Sequence, residues 1–388
     1  MKICSIVAEY NPFHNGHLSQ INYIKEKLKP DCIAVFLSGN FTQRGESAVL
    51  DKFTRAKHAV LSGADVVFEL PTVFATQTAE IFASGAVKLI NALPFEKSIC
   101  FGTECGDKQK IIDTAVLMLN ETPDYKNFLK SQLKKGLSLL QAREFALEQT
   151  NKNIDLEILK SPNNTLGVEY VKAILKNNYP IAVDVIKREG ASYNEEKLSK
   201  GNPSALAIRT AILNGKKSAV KDSLPLSVYK DLDSLPTFER EIIYSLIRAD
   251  KKDIAKTVDC AEGLENRIKA LLKDNFTIES LLDKLKTKRY TTARLKRIML
   301  STMLNIDKKL VQTALKKDLY LKVLAINKDK LDLLSKLSNA KYPLITRKSD
   351  ASKLIGTAKE VFEKDVFAND IYSSVTNKKS NENNMILV

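Results

Sequence analysis

Two imidazoles share the tetrapeptide His14-Asn15-Gly16-His17, in a chain of 388 residues that holds three histidines in all. A lone histidine in a loop is more often structural or solvated than reactive, and a lone glycine before a helix is usually a turn residue. The flanking sequence changes that reading. The apolar run from Ile3 to Ala8 has the character of a buried strand, and Leu18, Ile21, Ile24 and Leu28 recur at the spacing of an amphipathic helix. Strand, tight turn and helix in that order bring both imidazoles to a helix N-terminus, whose free N–H groups point at an anion. Ligands of open parallel sheets bind at the carboxyl ends of the strands. The pattern therefore predicts a grip on the phosphates of a nucleotide. The third histidine, His58, falls beside Arg55 and Lys57 in a helix expected from Asp51 to Leu61 and reads as a surface residue.

The elements that must position this site follow from periodicity. Further strands are predicted at Cys32–Leu37, Asp65–Leu70, Ser98–Gly102 and Ile181–Ile186. Helical patterns lie between them at about 17–28, 48–62, 76–92, 107–120, 125–149 and 165–177. Alternation with Gly39, Gly63 and Gly102 at the turns predicts an α/β fold with a doubly wound, Rossmann-like parallel sheet. From Pro203 onward no further strand is expected, and helical periodicity runs to about 365, with Leu264, Ile268, Leu271 and Leu272 on one face. The expected organisation is a sheet domain over 1–215, a mostly α-helical domain over 216–372 and a frayed tail over 373–388.

Composition bounds the partners. Apolar residues at 44% and charged residues at 28% describe an ordinary globular protein, and no apolar run approaches the ~20 residues that span a bilayer. Met1 to Ser5 run straight into a strand without a signal-peptide layout. The five cysteines (4, 32, 100, 105 and 260) lack metal-ligand spacing, so no metal site is expected; Cys4, Cys32 and Cys100 fall in predicted strands as buried thiols of a reducing compartment, by default the cytoplasm. Net charge is +15, and residues 216–388 carry 35 Lys and Arg against 23 Asp and Glu. That asymmetry fits a polyanion bound by the C-terminal half, or lysine-rich solvated helices; charge alone does not choose. Within 284–317, eleven basic residues face one acid, Asp307. Lys286, Lys288, Arg289, Arg294, Lys296 and Arg297 surround Tyr290, which either stacks on a base or packs inward. The helix expected over 291–304 keeps Leu295, Ile298, Met299 and Met303 for the core.

Seven segments, in order, carry a family resemblance over most of the chain. They are Asn11-Pro12-Phe13-His14-Asn15-Gly16-His17, Ser38-Gly39-Asn40-Phe41-Thr42-Gln43-Arg44-Gly45-Glu46, Phe68-Glu69-Leu70-Pro71, Phe101-Gly102-Thr103-Glu104, Ser161-Pro162-Asn163-Asn164-Thr165-Leu166-Gly167, Glu262-Gly263-Leu264-Glu265-Asn266-Arg267 and Lys286-Thr287-Lys288-Arg289-Tyr290. The first resembles the signature of the HxGH nucleotidyltransferase superfamily; the set resembles its branch of bacterial tRNA(Met) cytidine acetate ligases. The resemblance implies a two-step ligase. Acetate attacks the α-phosphate of ATP, giving acetyl-adenylate and pyrophosphate, and the exocyclic amine of the wobble cytidine of elongator tRNA(Met) then takes the acetyl group. Magnesium is implied with ATP and needs no protein cage. Positioning and charge stabilisation at phosphorus dominate such chemistry.

The same resemblance implies catalytic roles for His14 and His17, as hydrogen-bond donors to phosphate oxygens. It implies ATP contacts from Val7, Ala8, Glu9, Tyr10, Asn11, Pro12, Phe13, His14, Asn15, Gly16, His17, Leu18, Ser19 and Gln20, and from Gly102, Asn163 and Arg188. Gly16 would let the nucleotide approach the backbone, and Gly102 would leave room for the adenosine. Asn163 reads the adenine edge or caps a helix. Two segments compete for a pyrophosphate contact. Lys197-Leu198-Ser199-Lys200-Gly201 resembles the KMSKS loop of class I aminoacyl-tRNA synthetases. Ser204-Ala205-Leu206-Ala207-Ile208-Arg209 resembles the hydroxyl-rich ISSTxIR-type segment of nucleotidyltransferases and is preferred, with Arg209 on phosphate, although Leu206 and Ala207 stand where hydroxyls are common. Gln43-Arg44 binds substrate or pairs with Glu46, and Asp65 and Glu69 read as structural carboxylates. Lys286, Lys288, Arg289, Tyr290, Arg294 and Arg297 are the expected tRNA contacts. Two other readings remain: an adenylyltransferase of a small phosphorylated metabolite, which leaves the basic half unexplained, and a non-catalytic RNA-binding protein, against which the intact His14 and His17 argue.

Overall fold

Burial of alternate residues on both faces of the strands builds the fold. In the strand Cys32–Ser38, Cys32, Ala34 and Phe36 enter one apolar core while Ile33, Val35 and Leu37 enter a second, so the sheet is covered on both sides as parallel sheets require. The computed structural model describes residues 1–137, 139–150, 157–188, 203–287, 289–379 and 381–388, with the side chains of 139 and 140 excepted. Its strands are β1 (Lys2–Ala8), β2 (Cys32–Ser38), β3 (Val66–Leu70), β4 (Glu96–Thr103), β5 (Ile181–Lys187), β6 (Leu321–Ile326), β7 (Leu344–Ile345) and β8 (Ile386–Leu387). They stand in the order β5-β4-β1-β2-β3-β6-β7, with β8 beside β6. From β5 to β3 all neighbours are parallel. The order reverses between β1 and β4, which makes the carboxyl ends of those two strands the topological switch point.

The five expected strands of the first half are present, with helices between them, including α1 (Asn15–Tyr23) and α2 (Lys52–Leu61). The expectation that strands stop after Pro203 is corrected. Strand β6 pairs antiparallel with β3, Val66 opposite Ile326, and β8 pairs with β6. All six residues of β6 are buried, but Lys322 interrupts its apolar run, and no glycine stands beside it as at the strands of the first half. The tail is corrected too. The helix Gly356–Thr376 packs on the N-terminal half through Tyr372 Oη, which donates to the Ala48 carbonyl at 2.9 Å, and Asn40 Nδ2, which donates to Asn369 Oδ1 at 2.8 Å. Beyond it Glu382 is buried in an ion-pair cluster with Lys52 and Lys322.

His58 is likewise corrected: it has no exposed surface, and its Nε2 lies 2.8 Å from Asp231 Oδ2. Burial outweighs Asp231 and holds the imidazole below its ordinary pKa. The bond ties α2 to the short helix Leu226–Asp231.

Candidate active site

Helix α1 starts with a cap made of histidines. His14 has extended backbone (φ −140°, ψ 173°), and its Nδ1 accepts from Gly16 N at 3.1 Å. The Nδ1 of His17 in turn accepts from His14 N at 3.2 Å. This is the reciprocal logic of a capping box, with imidazoles in place of the usual hydroxyl and carboxylate. It also assigns the tautomers, because a ring nitrogen that accepts carries no hydrogen and the neutral ring must be protonated at Nε2. Burial first, then the charge of Arg188, pushes His14 down to about 3. Burial, His14 and Arg188 push His17 well below its ordinary value. Both rings are thus neutral Nε2–H donors. They stack at 3.7 Å, with Tyr10 against His17 at 4.7 Å. A Cβ on Gly16 would sit 2.9 Å from His14 Cε1, so glycine is what lets the His14 ring fold over the helix start.

A cleft opens at the switch point. From the first segment Val7, Ala8, Glu9, Tyr10, Asn11, His17 and Gln20 line it, and Gly102, Asn163, Arg188 and Arg209 join them from elsewhere in the chain. Pro12, Phe13, His14, Asn15, Gly16, Leu18 and Ser19 are not part of the wall. Phe13 is a core residue, His14 supports His17 by stacking, and Asn15 Nδ2 donates to the Asp222 carbonyl at 2.8 Å. Ser19 Oγ donates to the Asn15 carbonyl at 3.0 Å. Phe82, Phe101, Leu166 and Tyr170 complete an apolar side that sequence reasoning did not select; apolar residues on strands and helices carry no mark that separates a cleft wall from a core.

The cationic wall is built with care. Arg188 follows β5, and its backbone N–H donates to the Thr103 carbonyl at 2.9 Å. A Cβ on Gly102 would come within 3.0 Å of Arg188 Cγ, so that glycine opens the path of the arginine across the strand end. Ser204 caps the helix Ala205–Leu213 by accepting from Ala207 N at 3.0 Å. One turn on, Arg209 donates from Nη1 to the Asn11 carbonyl at 2.9 Å and places Nη2 3.5 Å from Glu46 Oε2. Of the two hydroxyl-poor positions, Leu206 lines the cleft and Ala207 is buried. The competing segment 197–201 lies outside the described residues.

Two of the motif segments lock together. Glu104 accepts from Asn163 Nδ2 at 2.7 Å and Asn164 N at 2.9 Å, at the start of the helix Pro162–Lys176. Asn164 Oδ1 accepts from Glu104 N at 2.8 Å in return. A carboxylate at a helix N-terminus is favourable. Asn163 is therefore inside the helix, not its cap. In the turn after β2, Gln43 N donates to Glu9 Oε1 at 2.8 Å, and Gln43 and Arg44 both line the cleft. Glu46 pairs with Lys296 at 2.6 Å and with Arg209. Burial would raise its carboxyl, but Lys296, Arg209 and Arg44 outweigh burial and hold it below the ordinary range.

One organiser went unread in the sequence. Arg55 on α2 is fully buried, and its guanidinium donates to the carbonyls of Leu50 (2.8 Å), Glu9 (2.6 Å), Ser38 (3.0 Å) and Gly39. It fastens the ends of β1 and β2 that frame the cleft. Asp65 and Glu69 are structural, as expected: Asp65 accepts from Ile33 N and Glu69 from Lys52.

The basic strip is partly spent inside the protein. Arg289 pairs with Glu262, Arg297 pairs with Asp259, and Arg294 Nε donates to the Asp259 carbonyl at 2.9 Å. The Arg294 guanidinium lies 5.0 Å from the Tyr290 ring, whose hydroxyl donates to Glu262 at 3.1 Å. Lys286 is exposed, and Lys288 lies outside the described residues.

The model of the HIGH nucleotidyl transferase family matches residues 1–385. A tRNA(Met) cytidine acetate ligase of Thermosipho melanesiensis is 37% identical over 402 residues, covering 96% of this chain and 94% of that protein. The chain belongs to the tRNA(Met) cytidine acetate ligase family of HIGH nucleotidyl transferases. Among solved structures of the family, apo TmcAL of Thermotoga maritima superposes with a TM-score of 0.92 at 31% identity, over the whole of both chains. TmcAL bound with alpha-thio ATP superposes at 0.90, again over the whole of both chains. The family that the seven motif segments resemble is thus the one found, and its α/β fold is the one observed.

Proposed function

We propose that this protein is an ATP-dependent ligase that activates acetate as acetyl-adenylate and acetylates N4 of the wobble cytidine of elongator tRNA(Met). The supporting observation is the His14–His17 cap at the switch-point cleft, with two neutral Nε2–H donors beside Arg188 and Arg209, in a fold whose relative TmcAL is seen with alpha-thio ATP. In this reading the triphosphate runs past the N-terminus of α1, where His17 Nε2–H and the two arginines meet negative charge as it moves toward pyrophosphate. Burial keeps both imidazoles neutral, so His17 meets phosphate oxygen without titrating while His14 holds it in place by stacking. An acetate oxygen forms the bond to the α-phosphorus and the bond to pyrophosphate breaks. The cytidine amine then forms a bond to the acyl carbon; AMP leaves with the electron pair of the broken C–O bond, and the amine gives up one proton. Magnesium belongs to the substrate, on triphosphate oxygens. The basic segment 216–372 would hold tRNA through Lys286, Lys288, Arg289, Tyr290, Arg294 and Arg297, and ATP with tRNA points to the cytoplasm. Among the described residues no helix is long and apolar enough to cross a membrane.

The test incubates the protein with ATP, labelled acetate and tRNA. Acetylated tRNA and AMP are expected, with both falling at least ~100-fold in His17→Ala, on the scale of losing a donor to developing charge. Unlabelled tRNA together with adenylylation of a phosphorylated metabolite would establish the adenylyltransferase reading instead.

A further inference from the structure

A second, open cavity adjoins the nucleotide cleft and shares Glu46, Leu206 and Arg209 with it. Its walls are largely apolar, from Phe41, Leu213, Phe238 and Met299, and Lys296 stands at its edge. The partition is a chain of polar contacts. Asn11 of the nucleotide turn accepts from Arg209, Arg209 faces Glu46, and Glu46 accepts from Lys296 at 2.6 Å. The turn carrying Glu46 is pressed onto the helix Thr292–Met303. At Gly45 (φ +74°) a Cβ would sit 2.6 Å from Arg297 N, so glycine alone permits the approach that joins the two sites.

The proposed reaction puts a geometric demand on this region. The acyl carbon is one oxygen away from the α-phosphorus, and an attacking amine must come within roughly 3–3.5 Å of it. The nucleoside therefore needs a room that opens into the nucleotide cleft. An unstacked base presents two apolar faces and a polar edge, and such bases are held between apolar and aromatic side chains. A carboxylate is a suitable acceptor for the exocyclic amine of cytosine, and Glu46 offers one at the partition. The basic helix beside it carries charge suited to the flanking phosphates.

We propose that this cavity receives the unstacked cytosine of the acceptor tRNA, with its amine directed past Glu46 toward the adenylate. The inference rests on the ligase reading and adds where the acceptor enters. It separates two groups of residues: those of the nucleotide cleft serve both steps, and those found only in the second cavity serve the transfer alone. Thr210 and Leu213 belong to the second group, and Leu213 is 69% exposed, so enlarging it costs the fold little.

The experiment fills the cavity with Thr210→Trp and, separately, Leu213→Trp, with Thr210→Ser as the open control. Acetate-dependent exchange of labelled pyrophosphate into ATP without tRNA reads the first step, and acetyl transfer to tRNA(Met) reads both. Exchange within twofold of wild type, with transfer reduced at least tenfold in the tryptophan variants and retained in Thr210→Ser, is the expected result. Wild-type transfer by both tryptophan variants would overturn the assignment, as would parallel loss of exchange and transfer. Wild-type protein inactive in both assays would instead overturn the ligase reading, and the acceptor site with it.

Discussion

His14 and His17 have each committed Nδ1 to a backbone N–H, which leaves one donor per ring and no basic nitrogen exposed to protonation. Protonating either ring would break the cap and place a cation beside Arg188. Stability should register this. Where a group's folded pKa lies below its unfolded value, the unfolded chain binds more protons in between, so stability rises with pH through that window and falls as pH drops. For His14 the window runs from the ordinary 6.5 down to about 3. Acidifying from pH 6.5 to 5 should therefore remove about 1.6 kcal/mol through this residue alone. Urea unfolding at the two pH values would measure it, and a His14→Asn variant should show a shallower loss by about that amount. Equal losses in both proteins would mean that His14 is not held neutral by the fold. His17 and His58, also lowered by burial, act in the same direction.

The turn from Thr42 to Glu46 shows how elements far apart in sequence share one site. Gly45 N donates to the Thr42 carbonyl at 3.0 Å and Thr42 N to the Glu46 carbonyl at 2.9 Å, a tight reversal that sets Glu46 against Lys296 of the helix Thr292–Met303. Gly45→Ala combines a left-handed backbone with a backbone collision, so a loss of more than about 1 kcal/mol is expected. Thermal unfolding checks it, and an unchanged midpoint would mean that the helix and turn yield without cost. The motif was visible in the sequence as part of Ser38 to Glu46. Its partner was not, because nothing local links residue 46 to residue 296. Helix α2 teaches the same lesson in reverse. Lys52, Arg55 and His58, spaced by three, look like one solvated helix face, yet all three are buried on carboxylates and carbonyls supplied by other elements.

Across the whole molecule, residues far apart in the chain meet in a buried ion cluster. Lys52 lies 2.7 Å from Glu69, Lys322 lies 2.9 Å from Glu69, and Glu382 touches both lysines; no side chain in the group is more than 5% exposed. The pieces come from α2, β3, β6 and the segment before β8, so the C-terminal residues help fasten β6 to β3 and α2. Removing one partner from a buried pair leaves an uncompensated charge, at a cost of roughly 3–5 kcal/mol. Glu382→Ala should destabilise by that order in denaturant unfolding. A loss under about 1 kcal/mol would mean that Glu69 alone neutralises both lysines.

Strand-helix alternation and the placement of His14 and His17 at a helix start after the first strand were legible in the sequence because each is local: periodicity fixes the elements, and a short turn joins them; that the two imidazoles cap the helix was not. The return of residues 321–326 to the sheet, the burial of His58 and Glu382, and the internal pairing of Arg289 and Arg297 were decided by tertiary structure. A charged or apolar side chain looks the same in sequence whether its partner is water or a residue 300 positions away, and burial is a property of the assembled layers.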